Sequence, residues 1–119
     1  MIDIFNEDQL YIISFSNNVD KNDLNKLINQ FEILTLAEIN YKILINILKV
    51  SNYNLSEIYA CIDDIFKEKQ TVLKYLEKIS IVVDGYIVKK LINYFIELNK
   101  INIKYLISSK YEKCYSFLK

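Results

Sequence analysis

The sequence contains no histidine, arginine, tryptophan or proline, and its single glycine is Gly85. The absence of histidine excludes catalysis by imidazole, and one glycine is too few for a glycine-rich phosphate-binding loop. Two cysteines, Cys61 and Cys114, do not make up a usual zinc ligand set without histidine. We expect both to be buried free thiols, which predicts a reducing, cytoplasmic compartment. The adjacent carboxylates Asp63 and Asp64 have no paired base or nucleophile, so the sequence predicts no enzyme, cofactor or metal site.

Length and hydrophobicity favour one folded unit. The chain has 119 residues, the size of a single domain, and 52% of them are hydrophobic, which argues against disorder. No apolar run reaches the roughly 18 residues that span a bilayer. The first residues lack the basic region of a signal peptide. We therefore expect a single domain over 1–119 with no membrane contact.

The charge is divided unevenly along the chain, although the net charge is zero. Residues 1–64 hold four lysines and ten acidic residues, a net charge of −6. Residues 65–119 hold eleven lysines and five acidic residues, a net charge of +6. Such asymmetry is typical of proteins in which one half binds a polyanion.

Hydrophobic periodicity predicts a mainly helical chain, with helices near 7–16, 21–33, 36–50, 55–62, 66–79 and 90–116. The pattern Thr35 to Glu38 resembles a capping box that would begin the third helix. A short hairpin is expected at 80–88, because Asp84-Gly85 separates two β-prone runs. The alternative at this position is the start of a helix with Asp84 as its N-cap.

The ordered motifs resemble a known family. These are Leu34-Thr35-Leu-Ala-Glu38, then Leu55-Ser56-Glu57-Ile58, then Thr71-Val72-Leu73-Lys74-Tyr75-Leu76-Glu77-Lys78, then Asp84-Gly85. Together they are similar to the MarR/SarA branch of winged-helix proteins and to the TubR-type centromere-binding adaptors of partition systems. The resemblance implies a mainly α fold with a short β-hairpin. Its winged helix-turn-helix core would cover about 34–90, with extra N- and C-terminal helices.

That resemblance implies a protein that binds double-stranded DNA, as a transcriptional regulator or as a plasmid or phage partition protein. The implied DNA-binding residues lie on the recognition helix and the wing: Lys67, Lys69, Gln70, Thr71, Lys74, Tyr75, Lys78, Lys89 and Lys90. A homodimer is expected, packed through the C-terminal apolar stripe of Ile103, Leu106, Ile107, Tyr111, Cys114 and Phe117. Zero net charge and the lack of arginine favour an alternative. It is a small helical adaptor or inhibitor, of viral or mobile-element origin, that binds a protein partner and no DNA.

Overall fold

A five-stranded sheet forms the centre of the protein. The computed structural model describes residues 2–17, 21–51, 60, 74–86, 89–90, 92–93, 97 and 103–119. The strands lie side by side in chain order: β1 (Ile2–Glu7), β2 (Leu10–Phe15), β3 (Tyr41–Asn46), β4 (Leu76–Val82) and β5 (Lys104–Ser108). β1 is antiparallel to β2, and the other neighbouring pairs are parallel. Two helices have defined bounds, α1 (Lys21–Leu36) and α2 (Tyr111–Leu118).

This α/β architecture overturns the prediction of a mainly helical winged helix-turn-helix. The helix expected at 21–33 is confirmed within α1. The helix expected at 7–16 is instead the β1–β2 hairpin, closed by Asp8 and Gln9 with Asp8 at φ 56°. The segments expected as helices at 36–50, 66–79 and 90–116 contain β3, the start of β4, and β5. Residues of the 55–62 prediction, apart from the helical Ala60, lie outside the described part of the chain.

The two faces of the sheet have separate apolar layers. In β2, Tyr11 and Ile13 point to the face covered by α1, and Leu10 points to the face covered by α2. In β4, which has a neighbouring strand on each side, Ile81 joins the first layer and Val82 joins the second. A parallel strand buried on both faces is apolar at almost every position, so it lacks the alternation that identifies a half-exposed strand. Short runs of this kind also fit a buried helix, which explains the wrong helix predictions.

The end of α1 is a Schellman motif. The Ile39 N–H donates to the Leu34 carbonyl and the Glu38 N–H donates to the Thr35 carbonyl, each over 3.0 Å. Glu38 takes the left-handed conformation that this motif requires, with φ 57°. The Thr35 hydroxyl donates back to the Phe31 carbonyl over 3.0 Å. The Thr-x-x-Glu pattern therefore ends one helix, and the prediction that it begins another is wrong.

Three aromatic rings join β2, α1 and β3 at the centre of the first layer. Phe31 stacks on Tyr41, with ring centroids 5.2 Å apart and planes 6° apart. Tyr11 meets both rings edge-on, at 5.8 Å from Phe31 and 6.4 Å from Tyr41. Tyr41 is fully buried, and this burial raises the pKa of its phenol to about 12. The cluster packs α1, which connects β2 to β3, against the sheet.

Asp84 and Gly85 lie at the beginning of a helical segment. Gly85 has φ 98°, and its carbonyl accepts a hydrogen bond from the Lys89 N–H over 3.1 Å, the i to i+4 bond of a helix. Tyr86, Lys89 and Lys90 are helical. The predicted wing is therefore wrong, since β4 pairs in parallel with strands on both sides and is not the arm of a hairpin. The alternative, a helix beginning after Asp84, agrees with this geometry.

α2 covers the second face. Cys114 and Leu118 are buried against Leu10, Leu44 and Val82. Cys114 is a free thiol whose Sγ donates to the Ile81 carbonyl over 3.6 Å, and burial raises its pKa. Its prediction as a buried thiol is confirmed, whereas Cys61 lies outside the described residues.

The apolar stripe that was expected to form a dimer contact is largely used within the chain. Leu106 and Phe117 pack beside Cys114 against the sheet, while Ile103 and Ile107 pack against the first layer. The stripe is therefore not one free helical face, and the homodimer stays a prediction. In the described part of the chain, no helix combines the length and apolar character needed to cross a bilayer.

Candidate binding groove beside β5

An open groove lies along the outer side of β5. Residues that follow β4 and residues of β5 line it: Tyr86, Lys89, Lys90, Asn93, Tyr105, Leu106 and Ile107. Its volume is about 480 Å³, within the range of small-ligand sites. We call it the β5 groove. Its lining combines apolar side chains with two cations and two phenols, which suits recognition of a partly charged ligand.

The β5 groove follows the backbone edge of the sheet. Successive side chains of a strand point to opposite faces: Leu106 packs with the α2 layer, whereas Tyr105 and Ile107 pack with the α1 layer. A groove that contacts all three must therefore run along the strand's edge. Among the described residues β5 pairs with β4 alone, so this edge presents main-chain donors and acceptors to the groove.

The polar rim of the β5 groove is held by specific contacts. The Tyr105 hydroxyl donates to Asn93 Oδ1 over 2.5 Å, which joins β5 to the helical residues across the groove. Asn93 Nδ2 donates to Glu97 Oε1 over 3.3 Å. Lys90 Nζ lies 4.6 Å from the centre of the Tyr86 ring, within cation–π range. Lys89 is half-buried and Lys90 is exposed, so both lysines can approach an anionic ligand.

The carboxyl ends of the parallel strands offer a less suitable site. Open α/β sheets usually bind ligands there. In this protein, however, the polar side chains at that edge hold loops: Asn17 Oδ1 accepts from the Ser51 N–H over 2.8 Å, and Asn46 Oδ1 accepts from the Leu48 N–H over 3.1 Å. The described residues contain no group of three potential metal ligands. The β5 groove is therefore the better candidate.

The described residues that were predicted to bind DNA do not lie on one helix. Lys67, Lys69, Gln70 and Thr71 lie outside the described residues. Lys74 and Tyr75 form a short 3-10 segment directly before β4, and Lys78 lies within β4, so a recognition helix that includes Lys78 is wrong. Lys89 and Lys90 follow the opposite end of the same strand and line the β5 groove.

Lys78 has a structural contact. Its Nζ donates to the Phe117 carbonyl over 3.3 Å and lies 5.4 Å from the Phe117 ring. A cation at the C-terminal end of a helix is favourable because carbonyls there carry partial negative charge. Lys78 is half-buried and connects β4 to α2.

Sequence reasoning missed Tyr86, Asn93 and Tyr105 as groove residues. Tyr105 was assigned to a long helix over 90–116, and Tyr86 to the arm of a hairpin. A usable signal was present: Asn102 and the pair Ser108-Ser109 bracket five residues, a strand length, of which all but Lys104 are apolar. Identifying that run as a strand would have placed the preceding lysines beside a sheet edge.

Comparison of the chain with protein-family models, with curated proteins and with solved structures found no match. The function is therefore inferred from the residues of the β5 groove and their physical chemistry.

Proposed function

We propose that the protein is a small binding module that holds an extended, acidic segment of a protein partner in the β5 groove. The observation that carries the proposal is the position of Tyr105, Leu106 and Ile107, which line one groove although they point to opposite faces of the sheet. An extended peptide is the ligand whose shape and main-chain hydrogen bonds match such an edge.

Binding would proceed by strand addition. The partner's backbone would form a ladder with β5, which supplies affinity with little dependence on sequence. Side chains on one face of the added strand would meet Lys89 and Lys90, and those on the other would lie near Leu106. An alternation of acidic and apolar residues in the partner therefore fits the groove best.

Charge near the β5 groove supports an acidic partner. Lys104 and Lys110 lie at the two ends of β5 and are exposed, in addition to the groove lysines. The exposed acidic residues nearest in sequence are Asp84, Glu97 and Glu112, of which Glu97 accepts a hydrogen bond from the groove residue Asn93. The four lysines still outnumber these three carboxylates. Local positive charge would speed encounter with an acidic segment and reject a basic one.

Duplex DNA is not the ligand that we propose. Its assignment depended on a recognition helix in the major groove followed by a wing. Lys78 instead belongs to a central strand, and Gly85 begins a helical segment. The adaptor interpretation of the sequence, which requires a protein partner, fits an exposed strand edge better.

The test uses two synthetic peptides, one of alternating valine and glutamate and one of alternating valine and lysine. We expect the first to bind and the second not to bind, measured by fluorescence anisotropy of the labelled peptide. The double variant Lys89→Glu/Lys90→Glu should weaken binding of the acidic peptide by at least about tenfold, because two attractive pairs become repulsive.

A matched control is Lys26→Glu, since Lys26 is exposed on α1 away from the β5 groove. It changes the net charge in the same direction and should leave binding unchanged. Equal loss in Lys26→Glu would mean that only overall charge matters. Binding of a short DNA duplex with the same dependence on Lys89 and Lys90, without peptide binding, would contradict the proposal and favour a nucleic-acid site.

A further inference from the structure

The other edge of the sheet, β1, exposes large apolar side chains. Phe5 is 61% exposed and Ile4 is 38% exposed, on opposite faces of the strand. Among the described residues β1 pairs only with β2. Edge strands of folded proteins usually carry charged residues or proline that prevent pairing with another chain. At β1 the centre of the strand is apolar, which is typical of an edge that another strand covers.

The pairing registers place the two edges at matching levels. From β1 to β5, one level runs through Glu7, Leu10, Lys42, Lys78 and Lys104, and another through Phe5, Ile12, Leu44, Ser80 and Leu106. The adjacent level runs from Ile4 through Ile13, Ile45 and Ile81 to Ile107. Residues at one level point to the same face. The acidic end of β1 is therefore level with the basic end of β5.

We propose that β1 of one copy of the chain occupies the β5 groove of a second copy, so that the sheet continues from molecule to molecule. The inference rests on the proposed function of the groove and names its occupant. β1 runs opposite to β5, so copies in the same orientation pair through an antiparallel ladder. Phe5 then lies beside Leu106 and Ile4 beside Ile107, which pairs apolar with apolar. Glu7 accepts hydrogen bonds from the Tyr115 hydroxyl and pairs with Lys119 over 3.4 Å in its own chain, and Lys104 of the second copy would be a further cation beside it.

This contact joins two different surfaces, unlike a two-fold dimer in which one surface meets its own copy. After pairing, one molecule of the pair keeps a free β1 and the other keeps a free β5 groove, so association continues with concentration and ends only where a ring closes. Pairing of β1 with β1 is less favourable for charge, because the register that aligns Phe5 with Phe5 places Asp3 opposite Glu7.

The experiment is sedimentation velocity of the full chain over a concentration series from micromolar to sub-millimolar. We expect the average mass to rise with concentration. Phe5→Lys, which blocks β1, and Lys104→Glu, which blocks the β5 groove, should each weaken self-association by about tenfold. The control Leu36→Lys alters a side chain that is 85% exposed on α1, away from both edges, and should associate like the parent chain.

Mixing the two blocked variants identifies the geometry. Phe5→Lys keeps an intact β5 groove and Lys104→Glu keeps an intact β1, so their mixture should form a one-to-one complex that neither forms alone. A Lys104→Glu chain that still dimerises by itself would instead show pairing of β1 with β1, and the inference would be wrong. A parent chain that stays monomeric throughout the series would overturn it as well.

The acidic valine–glutamate peptide separates this inference from the proposed function. It is added to the Phe5→Lys variant, whose β5 groove has no competing strand. If the parent chain stays monomeric while this variant binds the peptide, the second copy is rejected as occupant and the groove is retained as a peptide site. Failure of both peptide binding and self-association would reject both proposals.

Discussion

Alkaline pH should reverse the sign of the stability change caused by replacing Tyr41 with phenylalanine. Tyr41 is fully buried, stacks on Phe31, and has a hydrogen bond with Thr35. Burial raises the pKa of its phenol from 10.0 to about 12, because the phenolate is poorly solvated inside the protein. The perturbation is Tyr41→Phe, which keeps the ring and removes the ionisable group.

The raised pKa of the Tyr41 phenol determines how its contribution to stability changes with pH. The neutral phenol contributes its full stability below the unfolded pKa near 10, and that contribution is lost as pH rises through the folded pKa near 12. Near pH 9 the variant should be less stable by about 1 kcal/mol, the value of one hydrogen bond. By about pH 12 the parent chain should have lost about 2 kcal/mol that the variant retains, so the variant becomes the more stable of the two by about 1 kcal/mol.

Urea unfolding followed by far-ultraviolet circular dichroism measures this difference at several pH values. Every other ionisable group is common to both chains, so its contribution cancels in the comparison. Tyr86→Phe is the control: Tyr86 is 70% exposed, so its replacement should change stability by less than about 0.5 kcal/mol throughout. A constant difference between the parent and Tyr41→Phe over the whole range would refute the assignment of Tyr41 to a dry core.

Three further outcomes test the fold. Glu38→Gly should stabilise the protein by up to about 1 kcal/mol in urea unfolding, because glycine takes the left-handed conformation at the end of α1 without strain. Asn29→Gly, in the exposed middle of α1, should instead destabilise it by about 0.3 kcal/mol, and stabilisation by both would point to a general effect of glycine. Phe31→Ala should destabilise by about 3–5 kcal/mol in the same assay, since it empties the centre of the aromatic cluster, and a loss below 1 kcal/mol would contradict the packing of α1. In a Cys61→Ser background, alkylation of Cys114 should be at least about 1,000-fold slower in the native protein than in urea, because a buried thiol reacts only after local unfolding exposes it. Rapid labelling of the native protein would show that α2 does not cover Cys114.

The sequence predicts α1 well, because that helix is amphipathic: Leu27, Ile28 and Phe31 repeat at helical spacing and face one layer only. It fails for β3 and β4, since both are buried on two faces and their apolar runs have no period of two. The decisive information for Ile43 or Ile81 is which strands lie beside them, and this depends on residues distant in the chain. A local pattern does not contain it.

The candidate site could be predicted only in part. Lys89 and Lys90 were predicted as DNA-binding residues at the wing, and both line the β5 groove. Their partners across the groove, above all Tyr105, were missed because the groove exists only once β5 is placed beside β4. The Asp84-Gly85 pair allowed two interpretations, a hairpin or a helix start. The choice between them depended on whether β4 has neighbours on both sides.

The agreement between strand order and chain order has a consequence for synthesis on the ribosome. Because every strand pairs with the one made just before it, a growing chain can extend the sheet one strand at a time, from the N-terminal side. Among the described residues, the layer around Leu44 and Val82 is covered by α2 at residues 111–118, which is made after every strand. This helix can dock only after the whole sheet has been made, and until then the side chains that it covers are available to a chaperone.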